Sequence, residues 1–137
     1  MNRILVGYDG SEPARRAFEF ALTLAAKFGA ALDVLAVARP PEPPDEVETE
    51  AEIERAQEHF EQDFGQLRRL AQPLGISVGF EVAVGHPAEQ LVHYAETRGV
   101  DHIVLGHRGK TFFERWRLGS VSKQVIHYAH CTTTVVR

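Results

Sequence analysis

Apolar residues recur along the chain in two alternating patterns. Ile4-Leu5-Val6 is a short uninterrupted apolar run, as expected of a strand covered on both faces. Gly7-Tyr8-Asp9-Gly10 follows as a turn cluster, Ser11 stands at an N-cap position, and Pro13 sits where a first helical turn tolerates proline. Ala14, Ala17, Phe18, Ala21, Leu24, Ala25 and Phe28 then keep helical spacing and predict one apolar helix face, stopped by Gly29. Leu32 to Val37 predicts a second buried strand. Four of the seven prolines fall in Arg39-Pro40-Pro41-Glu42-Pro43-Pro44, which excludes helix or central strand there.

The alternation continues to the end of the chain. Ile53, Ala56, Phe60, Phe64, Leu67 and Ala71 keep the helical step and end near Pro73 and Gly75. Val78 to Val84 alternates as a third strand, Gly85-His86-Pro87 turns the chain, and Leu91, Val92 and Ala95 mark a short helix stopped at Gly99. His102 to Leu105 predicts a fourth strand, followed by a long polar loop from Gly106 to Leu118. Ser120 opens a last helix carrying Val121, Val125, Tyr128 and Ala129, and the β-branched stretch Thr132–Val136 closes the chain as a fifth strand. Strands alternating with helices imply right-handed crossovers and a parallel sheet. The expectation is an α/β fold: an open five-stranded parallel sheet with helices on both faces, in one domain spanning residues 1–137.

Composition narrows the class. At 137 residues, with 25% charged and 44% hydrophobic positions, the chain suits one globular domain and not a disordered segment. No apolar run approaches the roughly 20 residues of a membrane span. The single cysteine, Cys131, fits a reducing compartment, so the chain reads as cytoplasmic. The net charge of −4 conceals two regions. Residues 42–64 hold ten acids against Arg55, a local −9, which leaves +5 for the remainder. The acidic run reads as the solvated face of the second helix, and acids near a helix start suit its dipole.

The positive region points to chemistry. In open parallel sheets, ligands bind beyond the carboxyl ends of the strands where strand order reverses. Those ends are held by Asp9, by Ala38 and Arg39, and by Gly106. Gly106-His107-Arg108-Gly109 begins a loop that reaches Gly119-Ser120-Val121-Ser122 at a helix start, where free N–H groups and the dipole favour an anion. Arg108, Lys110, Arg115, Arg117 and Lys123 against Glu114 give this loop a local +4. Phosphate is the anion such a cradle suits.

The spacing Gly106-x2-Gly109-x9-Gly119-Ser120, with Val6-Gly7-Tyr8-Asp9-Gly10-Ser11 and Gly85-His86-Pro87-Ala88, resembles the universal stress protein family, in its ATP-binding, glycine-loop branch, over nearly the whole chain. The resemblance implies a Rossmann-like sheet of the nucleotide-binding α-hydrolase-like type, with the first and fourth strands adjacent. It implies that Asp9 contacts the adenosine part of ATP and that Val37 offers backbone to adenine. Gly106 and Gly109 would line ribose and phosphates, and Gly119, Ser120, Val121 and Ser122 would receive the phosphates. Gly7, Leu105 and Arg108 complete the expected nucleotide-binding set, with Mg2+ bridging the phosphates. A homodimer formed by antiparallel pairing of Thr132–Val136, left on a sheet edge, is also expected, because an exposed apolar edge invites pairing. Two positions depart from the family pattern: His107 stands where a small or hydroxyl residue is frequent, and Thr132 where many members have proline.

Plainer readings stand beside these. Asp9 suits a turn aspartate that holds nearby backbone, Ser120 a helix cap, and Ser122 a solvated helix residue. Gly109-Lys110-Thr111 is not a Walker A loop, because position 104 is Val104 rather than glycine. His127, His130 and Cys131 lack further ligands at metal-site spacing, so no metal-binding residue is assigned. Trp116 between Arg115 and Arg117 is too little for nucleic-acid recognition; the loop reads as a mobile lid over the phosphates, with Phe112, Phe113 or Trp116 anchoring it or meeting a partner. The functional expectation is an ATP-binding stress-response regulator acting as a switch or partner-binding module, with slow hydrolysis at most and no catalytic residue. Two alternatives stay open: a weak ATPase or phosphotransferase using His107, and a nucleotide-free homodimeric interaction module.

Overall fold

A computed structural model describes residues 1–43, 46–108 and 118–137. The elements run β1 (Arg3–Tyr8), α1 (Glu12–Phe28), β2 (Ala31–Ala38), α2 (Glu46–Ala71), a 3-10 turn (Gln72–Leu74), β3 (Val78–Val84), α3 (Pro87–Thr97), β4 (His102–Gly106), α4 (Ser120–Tyr128) and β5 (Thr132–Val136). The five strands form one sheet in the order β3-β2-β1-β4-β5, and every pair is parallel. The chain therefore starts in the middle, winds outward through β2 and β3, then crosses back to place β4 against β1. Strand order reverses at that seam, where Ile4 pairs with His102 and Val6 with Val104.

Period-two alternation sends successive β1 side chains to opposite faces. Ile4, Val6 and Tyr8 join Ala17, Phe18 and Ala21 of α1 and Phe60, Phe64 and Leu67 of α2 in one core. Leu5 joins Leu35, Ile103 and Leu105 with Leu91 and Ala95 of α3 and Val125 of α4 in the other. Each strand of the middle of the sheet is buried on both sides, which is why Ile4-Leu5-Val6 reads as an unbroken apolar run.

The start of α1 follows its sequence signal. Ser11 is extended (φ −76°, ψ 161°) and its hydroxyl accepts the Ala14 N–H at 3.2 Å. Three local expectations need correction. Phe28 keeps the helical spacing but is 59% exposed, and Tyr128 is 62% exposed; each sits in the last turn of its helix, where periodicity continues past the edge of the core. The cap of α4 is Gly119 (φ −63°, ψ 155°), with Ser120 the first helical residue. Most acids of α2 face solvent, but Asp63 turns inward and accepts the Tyr8 hydroxyl at 2.9 Å.

Candidate nucleotide site

The reversal of strand order opens a cavity of about 290 Å³ at the carboxyl ends of the strands. Gly7, Tyr8 and Asp9 line it from β1 and its following turn, Leu35, Val37 and Arg39 from β2, and Leu105, Gly106 and Arg108 from β4. Pro87 and Leu91 of α3, Ala14 of α1, and Gly119, Ser120, Val121 and Ser122 at the start of α4 complete it. Its size is at the lower end of the range of small-molecule sites, and its wall is apolar with a few convergent polar groups, as such sites usually are.

Two glycines let the elements close around this space. A Cβ on Gly7 would lie 2.6 Å from Leu105 Cδ2 and 3.0 Å from Leu91 Cδ1. A Cβ on Gly106 would lie 2.7 Å from the Pro13 carbonyl carbon and 2.8 Å from the Ala14 nitrogen. The second obstruction is backbone, so α1 can approach the end of β4 only over a residue with no side chain.

The polar end of the cavity is the first turn of α4. Gly119 donates its N–H to the His107 carbonyl at 2.9 Å and its own carbonyl accepts the Lys123 N–H at 3.0 Å. Ser122 is buried, not solvated, and its hydroxyl donates to the Gly106 carbonyl at 2.9 Å. The N–H groups of Ser120, Val121 and Ser122 have no carbonyl within the helix to meet, and no described residue supplies one. All three residues line the cavity, so the helix presents free donors and its positive dipole end there.

At the other side, Asp9 accepts the Ser11 N–H at 2.9 Å through one carboxylate oxygen. The turn role and a place on the cavity wall thus coexist in one residue. Tyr8 lines the cavity and also joins the core packed by α1 and α2. Burial first, and its hydrogen bond to Asp63 next, hold its phenol well above the usual tyrosine range. His107 is 6% exposed and does not line the cavity. Burial first, then the charges of Arg137 and Arg108, lower its affinity for a proton. Its backbone matters more to the site: besides accepting from Gly119, it donates its N–H to the Val136 carbonyl at 2.7 Å, joining the helix start to the edge strand.

The residues expected from sequence to hold a nucleotide therefore gather in one place, from Gly7, Asp9 and Val37 to Leu105, Gly106, Arg108 and the Gly119–Ser122 turn. Gly109 lies outside the described residues, as do Lys110, Phe112, Phe113, Arg115, Trp116 and Arg117. Lys123 is exposed and does not line the cavity. Leu35, Pro87 and Leu91 belong to the wall without having been singled out for it, and Arg39, placed by the sequence at a strand end but not in the nucleotide-binding set, joins them. Leu35 and Arg39 follow from counting two residues either way from Val37 along a strand. Among the described residues no group of three or more His, Cys, Asp or Glu side chains could hold a metal ion, and no helix is long and apolar enough to cross a membrane.

The family model of universal stress proteins matches residues 1–137. The chain belongs to the universal stress protein family. A relative from Methanocaldococcus jannaschii, universal stress protein MJ0531, is 33% identical over 98% of this chain and 81% of its own length. Among solved structures, universal stress protein UspA from Lactobacillus plantarum superposes with a TM-score of 0.86 at 26% identity, covering 99% of this chain and 97% of that one. A universal stress protein solved in complex with cAMP shares the fold at a TM-score of 0.77 and 23% identity, covering 99% of this chain and 97% of its own.

Proposed function

We propose that this universal stress protein binds an adenine nucleotide, ATP with Mg2+ across its phosphates, in the cavity between β1 and β4. The observation that carries the reading is the meeting of two unlike ends in one space. Leu35, Val37, Leu91 and Leu105 make an apolar wall, and the free N–H groups of Ser120, Val121 and Ser122 make an anion cradle. A nucleotide has the same polarity, with a flat apolar base at one end and phosphate at the other. In this reading Val37 offers backbone to adenine, Asp9 meets the ribose with its second carboxylate oxygen, and Gly7 and Leu105 form the floor. Gly106, Gly109 and Arg108 border ribose and phosphate, and the Gly119–Ser122 turn holds the phosphates. With few carboxylates nearby, the divalent ion would be held mostly by the nucleotide. That a fold neighbour was solved with cAMP supports an adenine nucleotide as the ligand class.

Occupancy is proposed to act as a regulatory switch and not as a step in rapid turnover. Asp9 is the only carboxylate among the described lining residues, and it is assigned to the nucleoside. Hydrolysis needs a group to orient water and a charge to stabilise the transition state; the first is missing beside the phosphates among the described residues. His107, buried behind the wall, does not supply it. The edge position of β5 supports a homodimer paired through Thr132–Val136 as the body that carries the switch.

Mass spectrometry of protein purified without denaturant and then unfolded tests the ligand, together with thermal shifts in ATP and Mg2+. A copurified adenine nucleotide and a rise in Tm are expected. Protein free of nucleotide and indifferent to ATP would favour the interaction-module reading, and a monomer mass by light scattering at high concentration would remove the dimer.

A further inference from the structure

The geometry points to Arg39 as the residue that grips the nucleobase. This inference rests on the nucleotide reading of the cavity. Leu35, Val37 and Arg39 follow one another at period two along β2 and its extension, and all three line the cavity. Leu35 and Val37 pack into the core shared with α3 and α4, so Arg39 continues the same wall one step beyond the strand, at the rim. Its backbone is held in place there, because the preceding Ala38 carbonyl accepts the Gly85 N–H at 3.0 Å.

Two facts decide what this cation meets. Position is the first. The anion cradle is on β4 and α4, and β2 lies two strands away in the order β2-β1-β4. At about 4.8 Å between strands, that is about 10 Å, the reach of a nucleoside from its own 5′ phosphate. The backbone of Arg39 thus stands on the side of the cavity away from the α4 cradle, where the base of a nucleotide seated on that cradle would lie. Freedom is the second. Among the described residues Arg39 has no ion pair and no hydrogen bond from its guanidinium, and it stays exposed at the cavity mouth. A planar guanidinium beside an apolar slot can lie over a purine face, where cation–π attraction and stacking reinforce each other. An ammonium on a flexible stem lacks that plane. The consequence is a preference for the large ring face of a purine, set by a residue that touches no phosphate.

Isothermal titration of wild type, Arg39→Ala and Arg39→Lys with ATP, CTP and inorganic tripolyphosphate tests this. Arg39 is exposed, and unchanged thermal unfolding checks that the variants fold. Arg39→Ala is expected to weaken ATP by about 3- to 30-fold, to narrow the gap between ATP and CTP, and to leave tripolyphosphate unchanged. Arg39→Lys is expected to recover only part of the loss. Equal ATP affinity in wild type and Arg39→Ala overturns the proposal while leaving the nucleotide site intact. An equal loss for ATP and tripolyphosphate also overturns it, by making Arg39 a phosphate cation. A wild type that binds no ATP overturns the reading of the cavity and this assignment with it.

Discussion

The Ser122 hydroxyl donates to the Gly106 carbonyl at 2.9 Å, across sixteen residues of chain. That bond fixes the first turn of α4 to the end of β4. It meets the carbonyl of the last residue of that strand. Ser122→Ala removes this donor from a part-buried carbonyl, and the loss of such a bond costs about 0.5 to 1.5 kcal/mol. The urea midpoint should fall by that free energy divided by the slope, with the slope unchanged, and ATP affinity should fall with it as the cradle loosens.

Gly119 separates helix stability from ligand binding. Its extended conformation suits any residue, and as the cap of α4 it makes no side-chain hydrogen bond. Aspartate is among the best capping residues, worth from a few tenths to about 2 kcal/mol over residues that cannot cap. Gly119→Asp should therefore hold or raise Tm while its carboxylate takes the free N–H groups and repels phosphate. Calorimetry is expected to show ATP affinity reduced at least about tenfold, a loss of roughly 1.4 kcal/mol. A folded variant with unimpaired ATP binding would take the phosphates away from α4.

Two other glycines predict opposite outcomes for one substitution. Gly106→Ala forces a methyl against the Pro13 and Ala14 backbone, and overpacking of this kind costs about 1 to 3 kcal/mol. Gly65 lies inside α2 with nothing within 4 Å of an added Cβ, so Gly65→Ala should stabilise by up to about 1 kcal/mol. Denaturation of the two variants side by side checks both signs.

Acid should weaken the fold through β4. His102 is buried, and its Nε2 is 2.6 Å from the Thr134 hydroxyl of β5. Burial lowers its pKa below the ordinary 6.5, against a smaller opposing pull from Asp101. The unfolded chain therefore takes up a proton near 6.5 that the folded chain still refuses. Stability is complete above that pH and declines as pH falls from about 6.5 toward the lower folded value. His107 shifts in the same direction. Denaturant midpoints between pH 8 and pH 5 should show the decline, and His102→Gln should flatten it. A midpoint that rises on acidification would contradict the assignment.

The strands and helices were legible because Ile4-Leu5-Val6, the α1 stripe and the glycine stops all obey local periods. Local periods do not say where a core ends, which is why Phe28 and Tyr128 carry the right spacing and still face solvent. Nor do they assign direction to a charge. Asp63 sits in an acidic run like its neighbours, and only the arrival of Tyr8 from β1 turns it inward. The cradle was visible as glycines before a helix. The Ser122 to Gly106 bond was not, because it needs the distance between two elements that the sequence does not state. Arg39 occupied a strand end in plain view. Its place on the wall became meaningful once β2 was known to flank β1 on the side away from β4.

The seam between β1 and β4 also sets an order of events during folding. Ile4 and His102 are paired across 98 positions of chain, and contacts so distant in sequence close late, because loop entropy is lost before they contribute. The cavity straddles that seam, so it has no existence in a partly assembled molecule. A nucleotide held there binds the finished sheet alone and draws the equilibrium toward it by mass action. On the proposed nucleotide reading, ligand concentration would therefore set how fully the last-formed contacts are populated.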